Sequence, residues 1–330
     1  MKRRRVLGLV ASAALAAGSG CSRRLVQKSR MKVTVTAGPF LPMSALYLAQ
    51  ELGFFEQAEL DVEIWQSANS VAKIPLLAGG KVDVSFLSLN PSFINAVARG
   101  ASLSIVAGRE IASPSCADVG TWYGNRRAFP RGLADLRQLK GKRLAIGSRA
   151  SVMEFFLDAF LERAGLSSDD VQTVALRGPE ASAALVGGKI DAILANDFDK
   201  RLAEASHEIV LGPRLAQLLP DFQFSYVIFG QRLLAGDPKV GIAFLTGYLR
   251  GAREFLAGRT PKFMDEYARL NGLDPKATRE ACRNTFTPDG SVRLSDLQRF
   301  VDWAVRKGYC PKRVDAAQLV DERFLKGVRR

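Results

Sequence analysis

SALYLAQELGFFEQAELDVEIW (residues 44–65), GGKVDVSFLSLNP (79–91) and AVARGASLSIVAG (96–108) are the stretches on which the reading of this chain turns. Ala45, Leu48, Ala49 and Leu52 fall at i, i+3, i+4 and i+7, one face of a helix. Gly53 stops that helix before Phe54 and Phe55. Leu60, Val62 and Ile64 alternate with Asp61 and Glu63, the period of a half-buried strand. From Ser44 to Gly108 the pattern runs helix, strand, helix, strand, helix, strand. That rhythm predicts an α/β fold, a parallel sheet with helices on its faces.

Upstream, KVTVT (32–36) alternates as a first strand and ends in the turn-rich AGPFLPM (37–43). In open α/β sheets ligands bind beyond the carboxyl ends of the strands, which nominates each strand-end loop. The first offers Phe40 and Met43, the second Asn69, the third Ser88 and Asn90, and the fourth Arg109. Asn90 equally serves to cap the helix that Pro91 begins, and Ser70 or Asn69 to cap the one before it. Pro75 interrupts that earlier helix, predicting a late start or a kink.

The second half repeats the design. DLRQLKGKR (135–143) leads into a strand at Leu144–Ile146, then Gly147-Ser148-Arg149-Ala150-Ser151, then a helix with Val152, Phe155, Phe156, Ala159 and Phe160 on one face. A strand, a Gly/Ser loop and a helix N-terminus form an anion site from free N–H groups and the helix dipole. Ser148 and Arg149 are its candidate contacts, and Arg149 reads equally as a solvated loop charge. No GxxxxGK[ST] is present, so this is not a P-loop. After a strand at 173–176, GKIDA (188–192) echoes GKVDV (80–84): a Gly ends a helix and an exposed Asp precedes buried strand residues. Asn196 and Asp197 then form the last strand-end loop, with Asp197 equally a helix cap. FQFSYVIFG (222–230) is the return strand, and amphipathic helices fill the chain from Asp237 onward. Residues 113–140 show no regular period.

LGFFEQAELDVEI, GKVDV, ARGASLSIVAG and the Asp-Leu…Lys-Gly-Lys mark before Leu144 together resemble the nitrate/sulfonate/taurine and thiamine-precursor (pyrimidine) family of ABC-transporter substrate-binding proteins. Arg137-Gln138 is a small insertion in that last mark. The resemblance implies a periplasmic-binding-protein fold of type II: two α/β lobes, a central ligand cleft and a helical C-terminal part. It implies lobe 1 at 31–115 plus 225–330 and lobe 2 at 116–224. It also implies capture of a small-molecule solute by lobe closure and delivery to an ABC permease and its ATPase, with no catalysis and no cofactor. Arg109 and Arg149 favour an organic anion of the sulfonate, taurine or nitrate type, while Phe40, Trp65 and Trp122 suit an aromatic or pyrimidine solute. A related branch makes the thiamine pyrimidine with a histidine and a cysteine-rich iron motif; here the lone His207 lies among acids and no cysteines cluster. A sensor partner that feeds a receptor is the remaining alternative.

Residues 1–21 read as a signal peptide: Lys2 and Arg3–Arg5, then an apolar run from Val6 to Ala17, too short to span a membrane. Arg3-Arg4 resembles a twin-arginine signal. GSG before Cys21 resembles a lipobox with Gly18 where Leu is usual. Cys21 is thus the expected lipidation site, with plain cleavage near Ala17 to Cys21 as the alternative, and the lipid would hold the protein at a membrane surface. Residues 22–30 form a basic tether. The first 30 residues hold 8 of the 47 Lys and Arg and none of the 33 acids, so the +14 total falls to +6 beyond them. That charge, with no helix-turn-helix, zinc or RNP-like motif, excludes nucleic acid as a partner. Four cysteines without CxxC, and one histidine, argue against a metal site; a Cys282–Cys310 disulfide is possible in an exported chain.

Overall fold

In the computed structural model residues 30–38, 41–66, 70–116, 119–196, 206–270, 273–280, 283 and 285–328 are described. The strands are β1 (Met31–Ala37), β2 (Leu60–Gln66), β3 (Val84–Ser88), β4 (Ser104–Gly108), β5 (Val119–Asn125), β6 (Arg143–Ile146), β7 (Gln172–Ala175), β8 (Ala192–Asn196), β9 (Ile209–Arg214) and β10 (Ser225–Phe229). The helices that position the site are α1 (Ser44–Glu51), α2 (Ser70–Ala78), α3 (Pro91–Ala98), α4 (Val152–Arg163), α5 (Gly178–Val186), α6 (Pro238–Leu256), α7 (Leu294–Arg306) and α8 (Arg323–Val328).

The strands form two five-stranded sheets, ordered β2-β1-β3-β10-β4 and β7-β6-β8-β5-β9. The order is the same in both. Three parallel strands run second, first, third, and an antiparallel strand follows before the outermost one. In the first sheet that antiparallel strand is β10, which returns only after the whole second sheet has been traced. The expected α/β architecture of two lobes is thus present.

The Gly-Lys-x-Asp repeat has a structural cause in each sheet. The Asp83 carboxylate accepts the Thr34 N–H at 2.8 Å and pairs with Arg232. The Asp191 carboxylate accepts the Arg143 N–H at 2.8 Å and pairs with the same residue's guanidinium at 3.2 Å. Each aspartate therefore locks the first and third strands of its sheet together. The expectation that these aspartates are exposed is overturned: Asp83 is buried and Asp191 half-buried, because a backbone N–H must be reached.

Two strands lay hidden in the sequence. β5 reads VGTWYGN, broken by Gly120 at φ 67° and by Gly124, where an added Cβ would sit 2.6 Å from Phe129. β9 carries Gly212, where a Cβ would meet that of Trp122 at 2.7 Å. Glycine is required by close packing at these positions, and it erases the alternation that marks a strand. α2 starts at Ser70, without the late start expected, and includes Pro75 in its span. Cys116 is disulfide-bonded and Cys310 is a free buried thiol, which excludes a Cys282–Cys310 bridge.

The two segments joining the sheets pair with each other. Arg109 N–H donates to Ser225 O at 2.9 Å, Phe224 N–H to Glu110 O at 3.1 Å and Ala112 N–H to Phe222 O at 2.9 Å. Gln223, fully buried, pins this ribbon to the C-terminal region: its N–H donates to Asp296 at 2.9 Å, its Nε2 to Ser291 O at 2.9 Å, and its Oε1 accepts Arg293 N–H at 2.8 Å. A Cβ on Gly108 would lie 2.1 Å from Gln223 Nε2 and 2.2 Å from Ser291 O. Gly108→Ala is therefore expected to destabilise the protein by about 1–3 kcal/mol through overpacking, read as a lower denaturant midpoint at unchanged slope.

Candidate functional site

The carboxyl ends of β1, β2 and β3 and the loop after β6 lie where the topology places a ligand. Of the residues expected to line that place, Cys21, Phe40, Asn69 and Asp197 lie outside the described residues, and of Asn196 only the backbone at the end of β8 is described. Met43 is buried, its sulfur 3.7 Å from Arg109 Nη1. Asn90 is a helix cap: its Oδ1 accepts Phe93 N–H at 3.0 Å, and its Nδ2 donates to Ser88 O at 3.0 Å. Ser88 and Ser148 are half-buried. Trp65 is 40% exposed, whereas Trp122 is wholly buried and packs edge-on against Phe160, so it cannot form a ligand wall.

Arg109 is engaged inside the protein. Its Nε and Nη2 donate to Ser225 Oγ at 2.9 and 2.7 Å, Nη1 donates to Pro42 O at 2.7 Å, and Nη2 also pairs with Glu110. The guanidinium lies 5.5 Å from the Phe86 ring centroid. Removing these donors from water is tolerated only because each finds a partner. Burial pushes the Glu110 carboxyl upward, while Arg109 and Ser225 oppose the shift. Through these bonds Arg109 ties the end of β4, the start of β10 and the loop before α1.

The anion site expected at the α4 N-terminus is partly filled by the chain itself. Glu154, on the first turn, is buried and accepts Ala150 N–H at 2.6 Å and the Tyr309 hydroxyl at 2.9 Å. Ala150 adopts φ 48°, the left-handed turn that brings its N–H to this carboxylate. Val152 N–H donates to Leu89 O at 3.1 Å and Glu154 N–H to Ser151 Oγ at 3.4 Å. Arg149 remains 70% exposed, with Nε 4.0 Å from Glu154. Its charge is free to turn toward an anion, but the helix dipole beneath it already faces a carboxylate.

Glu154 also joins a network between α4 and the C-terminal region. Lys307 Nζ lies 3.7 Å from Glu154 and 3.1 Å from Asp158, and Asp158 accepts the Trp303 indole N–H at 2.7 Å. The loop that carries Arg149 is thus coupled to α7 through one side chain.

A residue that the sequence reading passed over is Lys73, on the first turn of α2 beyond the end of β2. It is only 5% exposed. Burial lowers its pKa to about 8, and the charge of Arg109 adds to the shift. No described residue forms an ion pair or side-chain hydrogen bond with it.

Two α/β sheets of the same strand order, joined by a paired double crossing, form the periplasmic-binding-protein fold. The chain belongs to the NMT1/THI5-like family, whose profile matches residues 42–258. The alkanesulfonate-binding protein of Xanthomonas axonopodis pv. citri, solved bound to MOPS, superposes with a TM-score of 0.66 at 22% identity, covering 89% of this chain and 98% of that one. The periplasmic nitrate-binding protein of Synechocystis PCC 6803 superposes with a TM-score of 0.69 at 14% identity, covering 91% and 88%. Identities this low establish the fold alone. A Haemophilus influenzae protein named for thiamine biosynthesis is 32% identical over 151 residues, 46% of this chain; the match spans 45% of that relative's length.

Lys73 makes a prediction of its own. A lysine whose pKa is lowered on folding binds fewer protons folded than unfolded, so stability rises with pH between the two values. Ligand-free protein is expected to gain stability from about pH 8 toward 10.5. Lys73→Met should abolish that rise and be the more stable form below pH 8, as read from melting temperatures of both proteins across the range.

Proposed function

We propose that this protein is an extracytoplasmic solute-binding protein of an ABC importer that captures a small organic anion, of the sulfonate, taurine or nitrate type, by lobe closure. The observation that carries the reading is the shared strand order of the two sheets, joined by the paired crossings 109–112 and 221–225. Such a joint lets one lobe rotate on the other, and a solute held by both shifts the population toward the closed form. Binding and release then suffice, without catalysis. The sulfonate- and nitrate-binding neighbours support an anionic solute. The proposed lobes are residues 31–115 with 225–330, and 116–224.

The candidate contacts are Phe40, Met43, Asn69, Ser88, Asn90, Arg109, Ser148, Arg149, Asn196 and Asp197, and Arg109 also holds the first loop in place. An ABC permease and ATPase are the proposed partners. A signal peptide ending at a lipidated Cys21 is proposed to place the protein at a membrane surface outside the cytoplasm. The bonded Cys116 fits such an oxidising compartment.

A second reading, binding of a thiamine pyrimidine precursor, draws on the name of the Haemophilus relative and on the exposed indole of Trp65. A melting screen with alkanesulfonates, taurine, nitrate, aromatic acids and pyrimidines separates the two. A solute at 100 times its Kd adds roughly 2.7 kcal/mol, a rise of about 4 °C for a chain of this size. A shift with anions alone is expected; one with pyrimidines alone would replace the first reading with the second.

A further inference from the structure

We propose that Lys73 receives the anionic head of the solute, and that this head carries a single negative charge, as a sulfonate or carboxylate does. This inference rests on the solute-binding reading and assigns its charge recognition to a residue outside the strand-end loops.

The first observation is burial with no counter-charge among the described residues. Lys73 is 5% exposed, yet no described carboxylate pairs with it. A buried ammonium without a partner is costly, and such groups are retained where a ligand or a reaction needs them. A second is position. Lys73 sits on the first turn of α2, a nine-residue helix that starts beyond the end of β2. β2 and β1 end level with each other, Gln66 beside Ala37, so the helix begins at the mouth of the sheet, where the peptide dipoles favour an anion.

The local charge sets the valence. Arg109 is the neighbouring cation, and it is already matched by Glu110. The Ser225 hydroxyl and Pro42 carbonyl take up its remaining donors, so Arg109 has little left for a second anion. Among the described residues, what remains is one positive charge, that of Lys73. A monoanion neutralises it. A dianionic phosphate would bury one unmatched negative charge, and a neutral ring would leave the ammonium unmatched. Arg149, on the loop after β6, is exposed and shares its charge with Glu154, so it is not a second buried cation.

The test titrates the purified protein with matched probes by calorimetry: butanesulfonate, benzenesulfonate, valerate and benzoate; butyl and phenyl phosphate; butanamide and benzamide. The expected result is binding of at least one monoanion, with the phosphates and amides weaker. Lys73→Met and Lys73→Gln should both weaken that monoanion by about 30-fold or more, the loss expected on truncating one partner of a buried charge pair. Melting of the ligand-free variants confirms that they are folded. Sulfonate and carboxylate probes distinguish the two head groups. Equal affinity in wild type and both variants would overturn the role of Lys73 while leaving the solute-binding reading intact. Tighter binding of phosphates or amides by the wild type would overturn the valence. Absence of binding by the wild type to every probe overturns this inference and the small-organic-anion reading with it.

Discussion

Two short backbone segments, 109–112 and 221–225, run antiparallel between the sheets, and the rest of the molecule depends on their pairing. Their hydrogen bonds leave the chain two parallel routes from one sheet to the other. Gly108 and Gln223 set how closely this ribbon approaches the C-terminal region, for the buried amide of Gln223 occupies the volume that a side chain at 108 would need. Satisfying all the amide's neighbours at once leaves few alternative arrangements.

Around that joint the polar interior is divided by role. Arg109 and Glu110 form a buried pair whose remaining donors are met by hydroxyl and carbonyl groups, so the pair organises loops. Glu154 does similar work on the other side, holding the turn at Ala150 and linking it to Tyr309 and Lys307. Lys73 differs from both. It is buried without a matching charge among the described residues, and the instability this brings is the kind that binding sites retain.

Much of the first sheet was legible because its strands and helices keep clean periods. LDVEIW alternates, and SALYLAQE recurs at helical spacing. The paired GKVDV and GKIDA segments announced the repeat of design between the halves, although the reason, an aspartate clamping two strands, needed coordinates. β5 and β9 were not legible: their glycines answer to Phe129 and Trp122, close neighbours in space that an alternation pattern does not reveal. The site was read less well. Arg109 was singled out because an arginine ends a strand, and nothing local reveals that Ser225, 116 residues away, meets it. Lys73 was passed over because a lysine on an amphipathic helix normally reads as solvated, and Pro75 suggested a late start that the helix does not make.

The position of β10 has a consequence for the order in which the chain can assemble. The second sheet draws all its strands from one continuous stretch, 119–214, whereas the first lacks a strand between β3 and β4 until residues 225–229 arrive. As the chain emerges from its N-terminus, from a ribosome or a translocation pore, the second sheet can close first. The first sheet, begun earlier, must wait with a gap between β3 and β4. The part of the molecule made first is therefore the part completed last, and its open strand edges are what the emerging chain must shield in the interval.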